Sequence, residues 1–166
     1  MLPAQQPALR RKGVTTYNMC ARAFMRHMLE VTGEALPHRS DQGETLHCVM
    51  NLPAAAPEFM DAFKHRFDPA IWRPQDLPMV HLYAFHKSDD AAVCQRHILE
   101  RAAAALGAPI PAHSVEAHTV RDVAPKKLML CCSFRLPPEG AFPPAGVTPG
   151  VDGCRETKRP RNDRGG

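Results

Sequence analysis

No stretch of this chain is apolar for long enough to cross a bilayer. The longest apolar run, residues 128–134, has the length of a strand. No carboxylate precedes Glu30. Residues 1–12 carry Arg10, Arg11 and Lys12 but no apolar core, which excludes a secretory signal. A leader without acids is compatible with mitochondrial import, although its prolines and lack of serine argue against that. None of the 6 cysteines stands in a C-x-x-C pair, and no histidine pair completes a zinc pattern. Cys48, Cys131 and Cys132 fall in apolar strand-like runs and read as buried free thiols of a reducing compartment. The 9 histidines are scattered and read as surface or core residues. The 10 glycines never take the G-x-G-x-x-G spacing of a dinucleotide-binding turn, which disfavours an unrelated nucleotide-binding half-fold.

What is present describes one globular domain. The chain has 166 residues, 44% hydrophobic and 23% charged, enough to bury a core. The formal net charge is +4, and the segment from Arg155 onward supplies +3 of it through five bases and two acids. The body is therefore nearly neutral, and bulk charge does not by itself mark a nucleic-acid binder. Lys158-Arg159-Pro160-Arg161 reads either as a nuclear-import signal or as a solvated tail.

Local patterns give an ordered set of elements. Residues 14–18 (VTTYN) are β-branched and aromatic, hence a strand. Phe24, Met25, Met28 and Leu29 repeat at helical spacing and predict a helix over 21–31, with residues 33–45 as a connector. Residues 46–50 (LHCVM) predict a second strand, ending at Asn51-Leu52-Pro53. Pro57 then suits a first helical turn, and Phe59, Phe63 and Phe67 predict a helix over 58–67. Residues 68–78 read as a loop, and 79–85 (MVHLYAF) as a third strand. Asp89 and Asp90 open a helix that ends at Gly107. Strands follow over 114–120 and 127–136, with Leu128, Leu130, Cys132, Phe134 and Leu136 on one face and a tight connection over 121–126. Residues 1–13 and 138–166 are expected to be disordered, the latter as a basic tail. Alternation of strands and helices argues an α/β fold with a mostly parallel sheet, closed by an antiparallel C-terminal hairpin.

Three places could carry chemistry. Asn51 follows a strand, where ligands of open α/β sheets bind. Its amide both donates and accepts, and Pro53 stiffens the corner. An ordinary turn at a strand end accounts for the same residues. Cys20 stands at a strand–helix turn, with no local base to make it a nucleophile. Arg121, Lys126 and Lys127 cluster at the hairpin, where they form either a solvated turn or a phosphate contact.

Taken together these segments resemble the eukaryotic and archaeal tRNA (guanine-37 N1)-methyltransferases. The resemblance rests on Val49-Met50-Asn51-Leu52-Pro53 with the helix behind it. It rests also on the stretch from Val120 to Lys127 running into Met129-Leu130-Cys131, and on residues 17–24. It implies a partial Rossmann-like class I methyltransferase sheet over residues 14–137, the C-terminal part of a catalytic domain. It implies methyl transfer from S-adenosyl-L-methionine to N1 of guanosine 37 in the tRNA anticodon loop, the first step of wybutosine synthesis in eukaryotic tRNA-Phe. A monomeric full-length enzyme is implied, with no membrane association. The mitochondrial matrix, the nucleus and the cytoplasm are all implied as locations. Carried over residue by residue, Asn51 and Pro53 hold the catalytic corner. Cys20, Ala21 and Asn51 meet the cofactor, and Arg121, Lys126 and Lys127 meet tRNA.

The chain departs from that pattern at several points. Cys20 and Ala21 stand where the family has Asp-Gly, and a thiol is a poor acceptor for the adenine amino group. The family's sheet order is 3-2-1-4-5-7-6, and nothing here matches strands 1 and 2 with the glycine-rich loop and the ribose-binding acid. Nor does any residue match the family's Glu–Arg general base, which N1 deprotonation requires. The strand over 46–50 is thus expected to expose an apolar edge and leave the isolated chain poorly stable. A non-catalytic RNA- or protein-binding remnant of the same domain is the alternative.

Overall fold

A computed structural model describes residues 13–39 and 43–149. The elements are α1 (Ala21–Arg39), β1 (His47–Met50), a 3-10 segment (Ala56–Ala62), β2 (Met79–His86), α2 (Ala91–Leu106), β3 (Glu116–Ala124), β4 (Lys127–Arg135) and a single turn, α3 (Pro138–Ala141). The strands form one sheet in the order β1-β2-β4-β3. β1 and β2 are parallel, with Val49 opposite His81. β4 runs antiparallel to both β2 and β3. The α/β class and the antiparallel hairpin match expectation. The sheet is mixed, however, with one parallel pair rather than a parallel majority.

The reason lies at residues 14–18. They form no strand: Val14 makes only an isolated bridge, and Val14 and Tyr17 are 56% and 40% exposed. A strand exists only beside a neighbour that takes its backbone hydrogen bonds, and β1 ends the sheet instead. The observed order is the 4-5-7-6 end of the expected sheet.

Other boundaries shift for local reasons. α1 continues through Gly33, which lets the helix close on Trp72; a Cβ there would lie 3.2 Å from the indole nitrogen. The expected helix over 58–67 is a 3-10 segment followed by turns. Phe63, Lys64 and Arg66 donate three residues back, and His65 turns to φ 53°. The backbone then diverts to α3: His65 N–H donates to the Gly140 carbonyl at 2.9 Å and Phe67 N–H to that of Ala141 at 3.2 Å. Residues 138–142, expected as disordered tail, are thus packed on the domain, with Gly140 and Ala141 buried. The strand expected over 114–120 runs to Ala124, so Arg121 lies within β3 and the turn is made at Pro125-Lys126, with Lys126 at φ 55°. α2 follows its signals. Asp90 caps it by accepting from the Ala92 and Val93 N–H groups, and Gly107 ends it in the left-handed region.

The helical elements all serve one face of the sheet. Val80, Leu82 and Ala84 of β2 and Leu130, Cys132 and Phe134 of β4 are at most 1% exposed and join Phe63, Phe67, Ile98 and Leu106 in the core. The opposite face carries His81, Tyr83 and Phe85 of β2, only half-buried, beside Val49, which is 64% exposed.

Candidate functional site

β1 and β2 run parallel, and the space beyond their carboxyl ends is the ligand-binding position of such a pair. Asn51 stands there, exposed, directly after β1. The corner is locally fixed: the Leu52 carbonyl accepts from Ala55 and Ala56 N–H at 2.9 and 2.7 Å. The Pro53 carbonyl accepts from Phe85 N–H at 3.4 Å, tying the corner to the end of β2.

Two arginines clamp the segment behind the corner. Arg101 of α2 donates to both carboxylate oxygens of Glu58, at 2.8 and 2.9 Å, and to the Ala54 carbonyl at 2.9 Å. Arg22 donates to Asp61 at 2.8 Å and lies 4.0 Å from the Phe59 ring centroid. It also donates to the Glu58 carbonyl at 3.4 Å. Arg22 is the second residue of α1, so this contact brings the Cys20–Ala21 turn to the end of the sheet that holds Asn51. Both Cys20 and Ala21 are exposed. The hairpin reaches the same end. The register sets Leu128 opposite His86, and the Lys127 ammonium stands 3.7 Å over the Phe85 ring. Arg121 and Lys126 are exposed on that hairpin. Asn51 and Pro53, the Cys20–Ala21 turn, and the hairpin with Arg121, Lys126 and Lys127 thus lie toward the same end of the sheet, the corner following β1 at one edge and the hairpin joining β3 and β4 at the other.

Sequence reading missed the clamps, because Arg101 and Glu58 are 43 residues apart and no local pattern links them. It also missed that four of the scattered histidines pair. His47 and His81 stack with ring nitrogens 2.9 Å apart, and His81 reaches Ser133 at 2.9 Å. His86 stacks on His97 at a centroid distance of 4.2 Å. Desolvation, then the charges of His97 and Arg101, hold the His86 imidazole below its ordinary range. Burial pushes the thiols of Cys48 and Cys132 up to about 11 and about 12, which disfavours the reactive thiolate at both. Among the described residues, no group of three or more His, Cys, Asp or Glu side chains could hold a metal ion. No described helix is long and apolar enough to cross a membrane.

An apolar groove of about 210 Å³ runs beside the corner, between α1 and β1. It is lined in part by Phe24, Met28, Leu29, Cys48, Val49 and Phe63. Fold and site together define an α/β chain with an exposed corner at the carboxyl end of a parallel strand pair, flanked by an apolar groove.

Comparison with known proteins names the family. No protein-family model matches the chain. The tRNA (guanine(37)-N(1))-methyltransferase of Phytophthora infestans is 39% identical over 131 residues, 79% of this chain and 28% of that protein. The Danio rerio protein of the same name is 42% identical over 125 residues, 75% of this chain and 25% of its own length. A solved structure, that of WT Trm5b from Pyrococcus abyssi, superposes with a TM-score of 0.34 at 21% identity, over 55% of this chain and 26% of that one. At that score the likeness does not define the fold. The chain is thus a relative of the tRNA (guanine(37)-N(1))-methyltransferases, and it spans about a quarter of the length of the curated relatives it matches.

Proposed function

We propose that the chain is part of a methyltransferase that moves a methyl group from S-adenosyl-L-methionine to N1 of guanosine 37 in tRNA. The observation that carries this reading is the convergence of the Asn51 corner, the α1 N-terminus and the β3–β4 hairpin at one end of the sheet. In this reading the Asn51 amide holds the amino-acid end of the methyl donor or the edge of the target base, and Pro53 keeps it aimed. Cys20 and Ala21 border the adenine. Arg121, Lys126 and Lys127 meet phosphates of the anticodon loop. The mitochondrial matrix, nucleus and cytoplasm are the proposed locations, and a monomer the proposed full-length state.

The residues present fit S-adenosyl-L-methionine only in part. Asn51 suits its amino-acid end, but Cys20 offers the adenine amino group a poor acceptor. Glu58 and Asp61, the carboxylates behind the corner, are both committed to arginines. A small-molecule pocket encloses most of its ligand, whereas Asn51, Cys20 and Ala21 are all exposed. No chemical step follows from these residues alone. Cys20, a poor acceptor at a position where the resemblance implies an Asp, favours the second reading, a non-catalytic RNA- or protein-binding domain.

The test is methyl transfer to an unmodified tRNA transcript with G at position 37, and to the same transcript with A. The enzyme is the Danio rerio relative with its matched segment replaced by this chain. Transfer to G37 alone, lowered at least tenfold in kcat/KM by Asn51→Ala, is expected. Equal transfer to both transcripts, or none from a folded chimera, refutes the activity.

A further inference from the structure

We propose that the sheet face turned away from the helices is a binding surface for single-stranded RNA, with bases stacked along β2.

The register fixes which side chains share this face. His81, Tyr83 and Phe85 alternate along β2 with the buried Val80, Leu82 and Ala84. Opposite them on β4 stand Ser133, Cys131 and Met129. β3 in turn sets Glu116 opposite Ser133 and Arg121 opposite Met129. The helices pack on the other face, where Ile98 and Leu106 of α2 join Leu82 and Phe134.

The middle of the open face consists of planar rings with polar tips. Tyr83 and Phe85 stand two residues apart, about 6.7 Å along the strand and roughly twice the rise of stacked bases. That spacing suits an extended strand with one base to each ring, and it does not suit a duplex. The polar tips are already engaged: His81 Nδ1 lies 2.9 Å from Ser133 Oγ, and its Nε2 lies 2.9 Å from His47 Nδ1. The Tyr83 hydroxyl shares a hydrogen bond with the Cys131 thiol. Rings ordered in this way lose little freedom when a base lands on them. Every base has a π-face, so such stacking tolerates any sequence.

Charge completes the match. Among the described residues of the sheet, this face carries Arg121, Lys127 and Arg135 against the single carboxylate of Glu116. The Lys127 ammonium stands 3.7 Å over the Phe85 ring, so one nucleotide can meet a ring and a cation together. Arg121 is exposed in the same cross-strand row, beyond Met129, about 10 Å from Phe85 by the spacing of strands. A protein partner is the poorer fit. Protein interfaces are apolar at their centre, whereas imidazoles, a phenol and a hydroxyl stand at the centre of this face. The inference rests on this face alone. It names a partner for the non-catalytic reading without requiring that reading, and its outcome is separate from methyl transfer by the chimera.

The test is fluorescence anisotropy of the whole 166-residue chain with a labelled single-stranded RNA decamer, and with the same decamer as a duplex. The single strand is expected to bind at least tenfold more tightly than the duplex. Tyr83→Leu keeps apolar bulk but loses the ring, and is expected to weaken binding about fivefold or more, whereas Tyr83→Phe binds like the parent. Arg121→Gln is expected to lower the slope of log affinity against log salt by about 0.7. Absence of binding, or equal affinity for the duplex, overturns the proposal. Binding that Tyr83→Leu leaves unchanged belongs to charge alone and overturns it as well, as does displacement of the RNA by polyglutamate of equal charge. Where Tyr83→Leu does not fold, the unsubstituted chain is irradiated with a decamer containing 4-thiouridine. Crosslinks within residues 79–86 or 127–135 are expected, and crosslinks confined to other segments overturn the assignment.

Discussion

Arg101 grips Glu58 with two parallel contacts, Nε to Oε1 at 2.8 Å and Nη2 to Oε2 at 2.9 Å, while Nη2 also serves the Ala54 carbonyl. One side chain thereby couples α2 to the backbone three residues beyond Asn51. Both partners are partly exposed, at 36% and 45%, so solvent screens the charge term. The fork geometry and the backbone acceptor keep the pair from being negligible. Arg101→Ala is expected to cost about 1 kcal/mol, read as a fall of about 3 °C in Tm. Arg101→Lys keeps the charge but loses the fork, and should recover less than half of that. Full recovery by lysine would mean that charge alone matters here.

The cysteines divide by burial. Cys20 is exposed, whereas Cys94 and Cys132 are buried, and burial raises both thiols, Cys132 to about 12. Thiolate fraction and access together set alkylation rates. Site-resolved mass spectrometry after iodoacetamide at pH 8 should find Cys20 modified at least a hundredfold faster than Cys132. Denaturant should abolish the difference. Comparable rates in the native chain would show that the β4 core opens readily.

His86 gives the chain a pH dependence with a definite sign. Its folded-state value lies below the ordinary one through desolvation first, then through His97 and Arg101. Between the two values the unfolded chain binds more protons than the folded chain, so stability rises with pH there. The contribution is present above the unfolded value, about 6.5, and is lost as pH falls below it. Tm should therefore drop between pH 7.5 and pH 5.5, and His86→Gln should make that drop shallower. An unchanged drop in the variant would assign it to other groups.

How much of this was legible depended on whether the cause was local. β2, β4 and α2 were readable because their determinants sit within them: alternation in Val80-Leu82-Ala84 and Leu130-Cys132-Phe134, the Asp90 cap, and Gly107 in the left-handed region. Residues 14–18 have good strand chemistry but no neighbouring strand, and no property of the segment itself reports that. The same holds for Gly33, expected in a connector but held in α1 against Trp72, and for His65 and Phe67, whose donors go to carbonyls of residues 140 and 141. At the site, the Asn51 corner and the hairpin were visible as motifs. Their convergence was not, since it runs through Arg22–Asp61, Arg101–Glu58 and Lys127–Phe85, all long-range pairs.

The clearest disagreement between pattern and packing lies after Pro137, where proline and glycine suggested a tail. Gly140 lies against α2: a Cβ there would meet Leu106 Cγ at 2.5 Å, and Leu106 is itself fully buried. Gly140→Ala must therefore push Leu106 out of place, an overpacking cost of about 1–3 kcal/mol. Gly146 is the control. It sits at φ +86°, with nothing within 4 Å of an added Cβ, so Gly146→Ala meets only backbone strain of about 1 kcal/mol. Urea unfolding of the two variants separates a packed segment from a loose one. Gly140→Ala should lower the midpoint clearly more than Gly146→Ala, and should loosen the protection of the His65 and Phe67 amides that α3 accepts. Equal, small shifts would mean that residues 138–142 add nothing to the core.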